Sequence, residues 1–342
     1  MNVIEKPRVW ASFALPASTT EVLRQHCDFQ VHASGQPATR ELILENAARS
    51  QGILVTLRDN IDEEIIASAP NLRIIANLAA GVDNIDVEAA TRRSIWVTNT
   101  PDVLTSATAD LAMALLLAAA RRIPEADRFV RAGKFQGWRY DLMIGAGLSG
   151  KTLGIWGAGR IGQAIARRAA GFNLRMIYNN LEPKPEFERE TNARYVSFHD
   201  LLCLSDFLIL AVPLTTKTEG RIGEEEFGLM KPSSILINVA RGAIVVEDAL
   251  VNALRYQRIA AAGLDVHVNA STVQEKLGDL PNVVLTPHIG SATRETREKM
   301  ALTAARNIIA VLEGRKPENA VNLLDLRTVL SNLRPVAHLL AV

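Results

Sequence analysis

Three residues of this chain have the types and the neighbours needed to act on a small acid. Arg241 stands in INVARGAIVVEDAL just past an apolar run, Asp265 closes AAGLDV, and His288 closes LTPHIGSAT after a proline. An arginine can hold a carboxylate through paired N–H bonds and polarise an adjacent carbonyl. A histidine can hand a proton to the oxygen of that carbonyl. Each also has a plainer reading: a surface arginine, a capping aspartate, a core histidine. All three, however, sit where a strand should end, and open α/β sheets bind ligands at the carboxyl ends of their strands.

A fourth feature supplies the frame. TLGIWGAGRIGQAIARRAAGFNLRMIYNN carries Gly157, Gly159 and Gly162 as G-x-G-x-x-G, after a strand pattern and at the start of a helix pattern. In that context the first glycine makes a tight turn, the second lets backbone approach a pyrophosphate, and the third allows close helix–strand packing. The helix N-terminus adds amides and partial positive charge. The residue closing the next strand chooses between NAD and NADP, because an acid there binds the ribose 2′-hydroxyl and repels a 2′-phosphate. That position falls on Asn179 or Asn180, with Glu182 and Lys184 just beyond. With no acid to reject a 2′-phosphate and no arginine to select it, the reading leans to NADP.

The elements that must position these residues are legible as a rhythm. RVWASFAL, FQVHA, GILVTL, LRIIANLAA and IWVTNT read as buried strands, and TTEVLRQHC, TRELILENAARS, IDEEIIASA and DVEAATRR as the helices between them. At TNTPDVLTSATADLAMALLLAAARR the rhythm breaks: Pro101 ends a strand and a long helix starts near Leu104, with Thr105 or Ser106 as cap. Its apolar residues lie on nearly all sides, which suits a sandwiched helix, here between two domains. TLGIWG, LRMIY, FLILAVP, SILINVA, IAAAGLDV and NVVLTP form a second series of strands. TRETREKMALTAARNIIAVLEG then reads as a helix returning the chain to the first domain.

The fold class is therefore α/β, with two doubly wound parallel-sheet domains of flavodoxin or Rossmann type, the first discontinuous. The expected division is 1–101 with 293–330 as substrate domain, 102–292 as dinucleotide-binding domain and 331–342 as a C-terminal tail. The net charge of +1 over 342 residues gives no reason to expect nucleic acid. Cys27 and Cys203, the two cysteines, are far apart, so neither a disulfide framework nor a metal site is expected, in keeping with a reducing cytoplasm. MNVIEKPRVW lacks a signal-peptide core, and LAMALLLAAA is about half of a membrane span.

Taken together, LAAGVDNIDVEAATRR, GAGRIGQAIARRAAGF, ILAVPLTTKT, INVARGAIVVEDAL, NVVLTPHIGSAT and NIIAVLEGRKPENAVN resemble the D-isomer-specific 2-hydroxyacid dehydrogenases. The likeness runs over nearly the whole chain and is strongest to the glyoxylate/hydroxypyruvate reductase branch. It implies an active-site cleft between the domains and a homodimer built on the cofactor domains. It implies that Arg241 binds the substrate carboxylate and keto oxygen and that His288 donates the proton. The amides of Ala80 and Gly81 would grip the carboxylate. Asp265 would hold the nicotinamide carboxamide, and Thr108, Arg160, Ile161, Asn180, Pro213, Thr218, Val239 and Gly290 would join the three glycines around NAD or NADP. Trp138, Leu142 and Met143 lie in a loop that could cross a dimer, with local packing the expected role.

One position departs from the family's pattern. The acid that usually follows the aspartate by five residues and supports the histidine is replaced by Ala270, in VHVNASTVQEK. An imidazole without that carboxylate loses both a charge that favours imidazolium and an orienting partner. Reduction would then be slower at neutral pH, unless Asn269 or Glu275 fills in. Alternatively the substrate needs no proton, as with formate or phosphite, although Ala80 stands where the phosphite enzymes carry a lysine. A dinucleotide-sensing protein of low activity is the remaining alternative.

Overall fold

The computed structural model describes residues 6–269 and 271–324. The chain forms two compact units. The first runs to Leu104 and resumes at Thr293, and the second is Thr105–Ala292.

In the first unit strands and helices alternate: β1 (Arg8–Ala11), α1 (Ala17–His26), β2 (Asp28–Val31), α2 (Arg40–Arg49), β3 (Gly52–Val55), α3 (Glu63–Ala67), β4 (Ile74–Asn77), α4 (Val87–Arg92) and β5 (Trp96–Thr98). The sheet is parallel, in the order β2-β1-β3-β4-β5. Every residue of β3 and β4 is buried, as expected for strands covered on both faces. α2, α3 and α4 start where short oxygen-bearing side chains cap them: Thr39 accepts from the Leu42 amide, Asp62 from Ile65 and Asp86 from Ala89.

The second unit opens with α5 (Thr105–Ala120) and α6 (Ile123–Arg131). It continues through β6 (Thr152–Trp156), α7 (Arg160–Ala169), β7 (Arg175–Asn179), α8 (Pro185–Thr191), β8 (Arg194–Tyr195), α9 (Phe198–Leu204) and β9 (Phe207–Leu210). It closes with α10 (Glu224–Leu229), β10 (Ile235–Asn238), α11 (Glu247–Arg255), β11 (Ala261–Leu264), α12 (Val273–Leu277) and β12 (Val283–Leu285). The seven strands are parallel in the order β12-β11-β10-β9-β6-β7-β8. That is the Rossmann order, and the direction of winding reverses between β6 and β9. Within this unit α5 packs on α7, β10, β11 and β12, which explains its all-round apolar surface. No helix among the described residues is long and apolar enough to cross a membrane.

α13 (Arg294–Leu312) belongs to the first unit, where it packs on α1, β3, β4 and β5. Beyond it the chain covers the open edge of β5. Val321 N donates to the Val97 carbonyl at 2.8 Å, and buried Asn322 accepts from Val97 N at 2.9 Å. Two parallel sheets with a discontinuous first unit match the fold class expected from sequence. The sequence pattern overlooked β8, a two-residue edge strand too short to show a periodicity. The expected tail, 331–342, lies outside the described residues.

Candidate active site

Seven strand ends of the second unit face one edge, and the chemistry-bearing residues cluster there. At the reversal point the chain leaves β6 through Gly157, whose φ of +104° suits glycine alone and where a Cβ would stand 2.6 Å from the Ala211 carbonyl oxygen. At Gly162 a Cβ would lie 2.0 Å from the Gly157 oxygen, so α7 can start this close to the turn only without a side chain. Gly159 caps α7 with open space on its Cβ side, and no acid occupies the first turn. The cradle fits a dinucleotide pyrophosphate approaching the amides of a helix N-terminus. Arg160 is exposed at the start of α7, while Ile161 is half-buried against the core of the unit.

At the end of β7, Asn180 ties this loop to its neighbour. Its Oδ1 accepts from Ala158 N at 3.3 Å, and its Nδ2 donates to the Glu182 carbonyl at 3.0 Å. The following turn is fixed by Tyr178, whose hydroxyl accepts from Lys184 N at 2.6 Å and donates to Glu188 at 2.9 Å. Burial and the neighbouring Glu188 keep that phenol above its ordinary range. After β9 the Thr218 hydroxyl donates to the Pro213 carbonyl at 2.7 Å, shaping the next loop of the same edge.

β10, β11 and β12 are neighbours, and Arg241, Asp265 and His288 follow them within a few residues. Val239 is buried, and Asn238 shapes the turn that presents Arg241. The Asn238 Oδ1 accepts from Ala240 N at 3.0 Å, and its Nδ2 donates to the Arg241 carbonyl at 2.9 Å. The guanidinium donates to the Ala240 carbonyl at 2.8 Å through one Nη.

Asp265 is 1% exposed, so its carboxylate must find partners inside the protein. Its Oδ1 accepts from the Thr286 hydroxyl at 2.7 Å and from Ile289 N at 2.8 Å, and its Oδ2 from Gly290 N at 2.8 Å. Thr108, on α5, donates to the Gly290 carbonyl at 3.3 Å and closes the same ring of contacts. These bonds flank His288, which is exposed and has a φ of +56°. A non-glycine residue in the left-handed region costs about 1–3 kcal/mol and persists only when its surroundings hold it. The Asp265 carboxylate is therefore the clamp on the loop that presents His288. Neither this clamp nor the role of Asn238 was evident from sequence, because the bonding partners of Asp265 lie more than twenty residues downstream.

Residues 113–290 match the family model described as D-isomer specific 2-hydroxyacid dehydrogenase, NAD binding domain. The glyoxylate reductase of Thermococcus litoralis is 49% identical over 321 residues, covering 93% of this chain and 97% of the relative. The chain belongs to the D-isomer specific 2-hydroxyacid dehydrogenase family. Among solved structures of the family, a glyoxylate reductase from Paecilomyes thermophila is 34% identical with a TM-score of 0.83, covering 92% of this chain and 98% of that one. An NADPH-dependent glyoxylate/hydroxypyruvate reductase from Sinorhizobium meliloti, solved with NADP and malonate, is 33% identical with a TM-score of 0.81, covering 93% and 97%.

The chain is an NAD(P)-dependent 2-hydroxyacid dehydrogenase; the residues expected around the cofactor and the pair Arg241 and His288 lie along one sheet edge of the second unit, with Thr108 reaching it from α5. Ala80 and Gly81 belong to the first unit, in the loop that leaves β4. Asn99 donates to the Ala80 carbonyl at 2.7 Å and Asn77 to the Gly81 carbonyl at 2.9 Å, so side-chain amides set the path of that loop. Ala270, the departure from the family's pattern, lies outside the described residues. Trp138 is 83% exposed and is not packed locally as its sequence neighbourhood suggested; Leu142 and Met143 are half-buried.

Proposed function

We propose that this dehydrogenase reduces a small 2-keto acid, glyoxylate or hydroxypyruvate, to the corresponding 2-hydroxy acid, of D configuration where the product is chiral. The observation that carries the reading is the Asp265 clamp. It spends a nearly fully buried carboxylate on holding one exposed histidine in the left-handed region, beside the strand that presents Arg241. The relatives named glyoxylate reductase support the choice of substrate.

When bound, the dinucleotide supplies the hydride, which goes to the keto carbon. Arg241 pairs with the substrate carboxylate and draws electron density from the keto oxygen. His288 gives its proton to the keto oxygen as negative charge develops there, leaving a hydroxyl group and a neutral imidazole. A carboxylate offers about four acceptor positions. Three on Asp265 are used by the clamp, which leaves one for the nicotinamide carboxamide.

NADPH is the favoured cofactor. The amide of Asn180 occupies the position where an acid would repel a 2′-phosphate. The active form is a homodimer in the cytoplasm. On α6 and the following loop Ile123, Val130, Phe135 and Trp138 are more than half exposed, and α6 buries none of its residues in its own chain. An apolar surface of this extent marks a protein interface.

Steady-state assays with glyoxylate and hydroxypyruvate against NADPH and NADH test the reading. Turnover with both acids, and tighter binding of NADPH, is expected. Dinucleotide binding with no turnover of any small 2-keto acid contradicts it, and oxidation of formate or phosphite replaces it with chemistry that needs no proton donor.

A further inference from the structure

His267 follows the clamping Asp265 by two residues, and its ring is committed to a single bond. Nε2 lies 2.9 Å from the Thr286 carbonyl oxygen, an acceptor, so the ring hydrogen sits on Nε2. Nδ1 is buried with no hydrogen-bond partner among the described residues. Thr286 is thereby tied to the end of β11 through all three of its polar groups. Its amide donates to the Leu264 carbonyl at 2.9 Å, its hydroxyl to Asp265 at 2.7 Å, and its carbonyl receives the His267 ring.

The backbone of His267 reaches the other neighbouring loop. A Cβ on Gly242 would lie 2.2 Å from the His267 carbonyl carbon and 2.5 Å from Val268 N, so the residue after Arg241 must be glycine for the two loops to meet. His267 thus touches the Arg241 loop with its main chain and the His288 loop with its ring. Thr286 precedes His288 by two residues, so a bond there governs the direction from which the chain enters the left-handed turn.

We infer that His267 is a positioning residue, which sets the approach of His288 by holding the Thr286 carbonyl while Asp265 holds the amides beyond it. The inference rests on the reductase reading for its kinetic consequence alone. The contacts that motivate it involve neither substrate nor cofactor. It also assigns the support of His288 to main-chain restraint from His267 and Asp265 in a chain that carries alanine at the usual position of the acid.

The test uses the full-length protein with NADPH and glyoxylate. His267→Phe keeps a planar aromatic ring, slightly larger, and removes the donor, whereas His267→Gln places an amide N–H near the position of Nε2. The Phe variant is expected to lower kcat about tenfold, since displacing a catalytic group by a fraction of an ångström costs that much. KM for glyoxylate and Kd for NADPH should hold, and the solvent deuterium isotope effect on kcat should rise as proton transfer becomes limiting. The Gln variant should recover kcat to within about threefold of wild type. Amide hydrogen exchange at Ile289 and Gly290, read without substrate, should quicken in the Phe variant and not in the Gln variant. An unchanged kcat in the Phe variant, equal losses in both variants, or unchanged exchange in both overturns the inference. A parallel loss of Tm and NADPH affinity with a constant isotope effect does so too. If the Phe variant does not fold, His267→Asn, whose amide stops short of the Thr286 carbonyl, takes its place with the same criteria. A wild type inactive on every 2-keto acid strikes the reductase reading, while the exchange measurement still decides the role of His267.

Discussion

Two buried aspartates, one in each unit, lie in the chain that follows a strand and differ in what they hold. Asp59, 4% exposed, follows β3 and accepts through one oxygen from the Ser12 hydroxyl at 2.6 Å, Thr56 N at 2.7 Å and the Thr56 hydroxyl at 3.0 Å. Asp265 follows β11 and accepts from Thr286, Ile289 and Gly290 through both oxygens. Burial and the number of bonds are alike, so neither marks a catalytic site. The difference lies in the clamped chain: Asp59 fastens β1 to its own loop, whereas Asp265 fastens a turn whose central residue is an exposed histidine. A buried carboxylate at a strand end is a fastener, and function depends on the side chain that the fastened loop presents.

Substituting each aspartate by asparagine separates the two cases, because the amide puts a donor where a donor already points. Asp265→Asn is expected to lower kcat about 100-fold, through a displaced His288. It should also cost about 1–3 kcal/mol of stability for the unpaired buried groups. Asp59→Asn should cost a similar 1–3 kcal/mol and leave kcat per folded molecule unchanged. Denaturant melts beside steady-state kinetics read both quantities, and equal losses of kcat would erase the contrast.

A smaller effect is expected from restoring the absent acid. Ala270→Glu should raise the rate of reduction at neutral to alkaline pH by severalfold, since a carboxylate beside the imidazole favours the protonated donor there. A flat pH comparison between the two proteins would show that His288 has no need of it. The smallest effect belongs to a residue of the first unit that has no part in the chemistry. Burial, with a smaller contribution from Asp28, pushes the Cys27 thiol up to about 12, and its Sγ donates to the Leu23 carbonyl. At pH 8 the thiolate that reacts with disulfide reagents is scarce. Native protein should therefore release one equivalent in a thiol titration, from half-buried Cys203, and two after denaturation. Two fast equivalents from native protein would contradict the burial of Cys27.

Much of this arrangement was legible in the sequence, for reasons particular elements make plain. β3, β4, β9 and β10 are buried throughout and so appear as unbroken apolar runs. The strand ends carrying Arg241, Asp265 and His288 could be placed because each run stops just before them. RVWASFAL forms a strand only over Arg8–Ala11: Ser12 N still donates to the Leu54 carbonyl at 3.0 Å, and there the Ser12 hydroxyl turns to Asp59. The clamp itself was hidden, since it joins residue 265 to residues 286–290 through one threonine hydroxyl and two main-chain amides, and no side-chain pattern reveals the amides. His267 was in plain view, three residues before the missing acid, but a histidine after a strand carries no signal until its carbonyl partner is known.

The central claim is that His288 is the proton donor held ready by the clamp. It is tested most directly by measuring kcat for glyoxylate and Kd for NADPH in wild type and His288→Gln. The account predicts a loss of kcat of about 100-fold or more with unchanged NADPH binding, the scale expected for removing a general acid. A His288→Gln enzyme that reduces glyoxylate at the wild-type rate would contradict it.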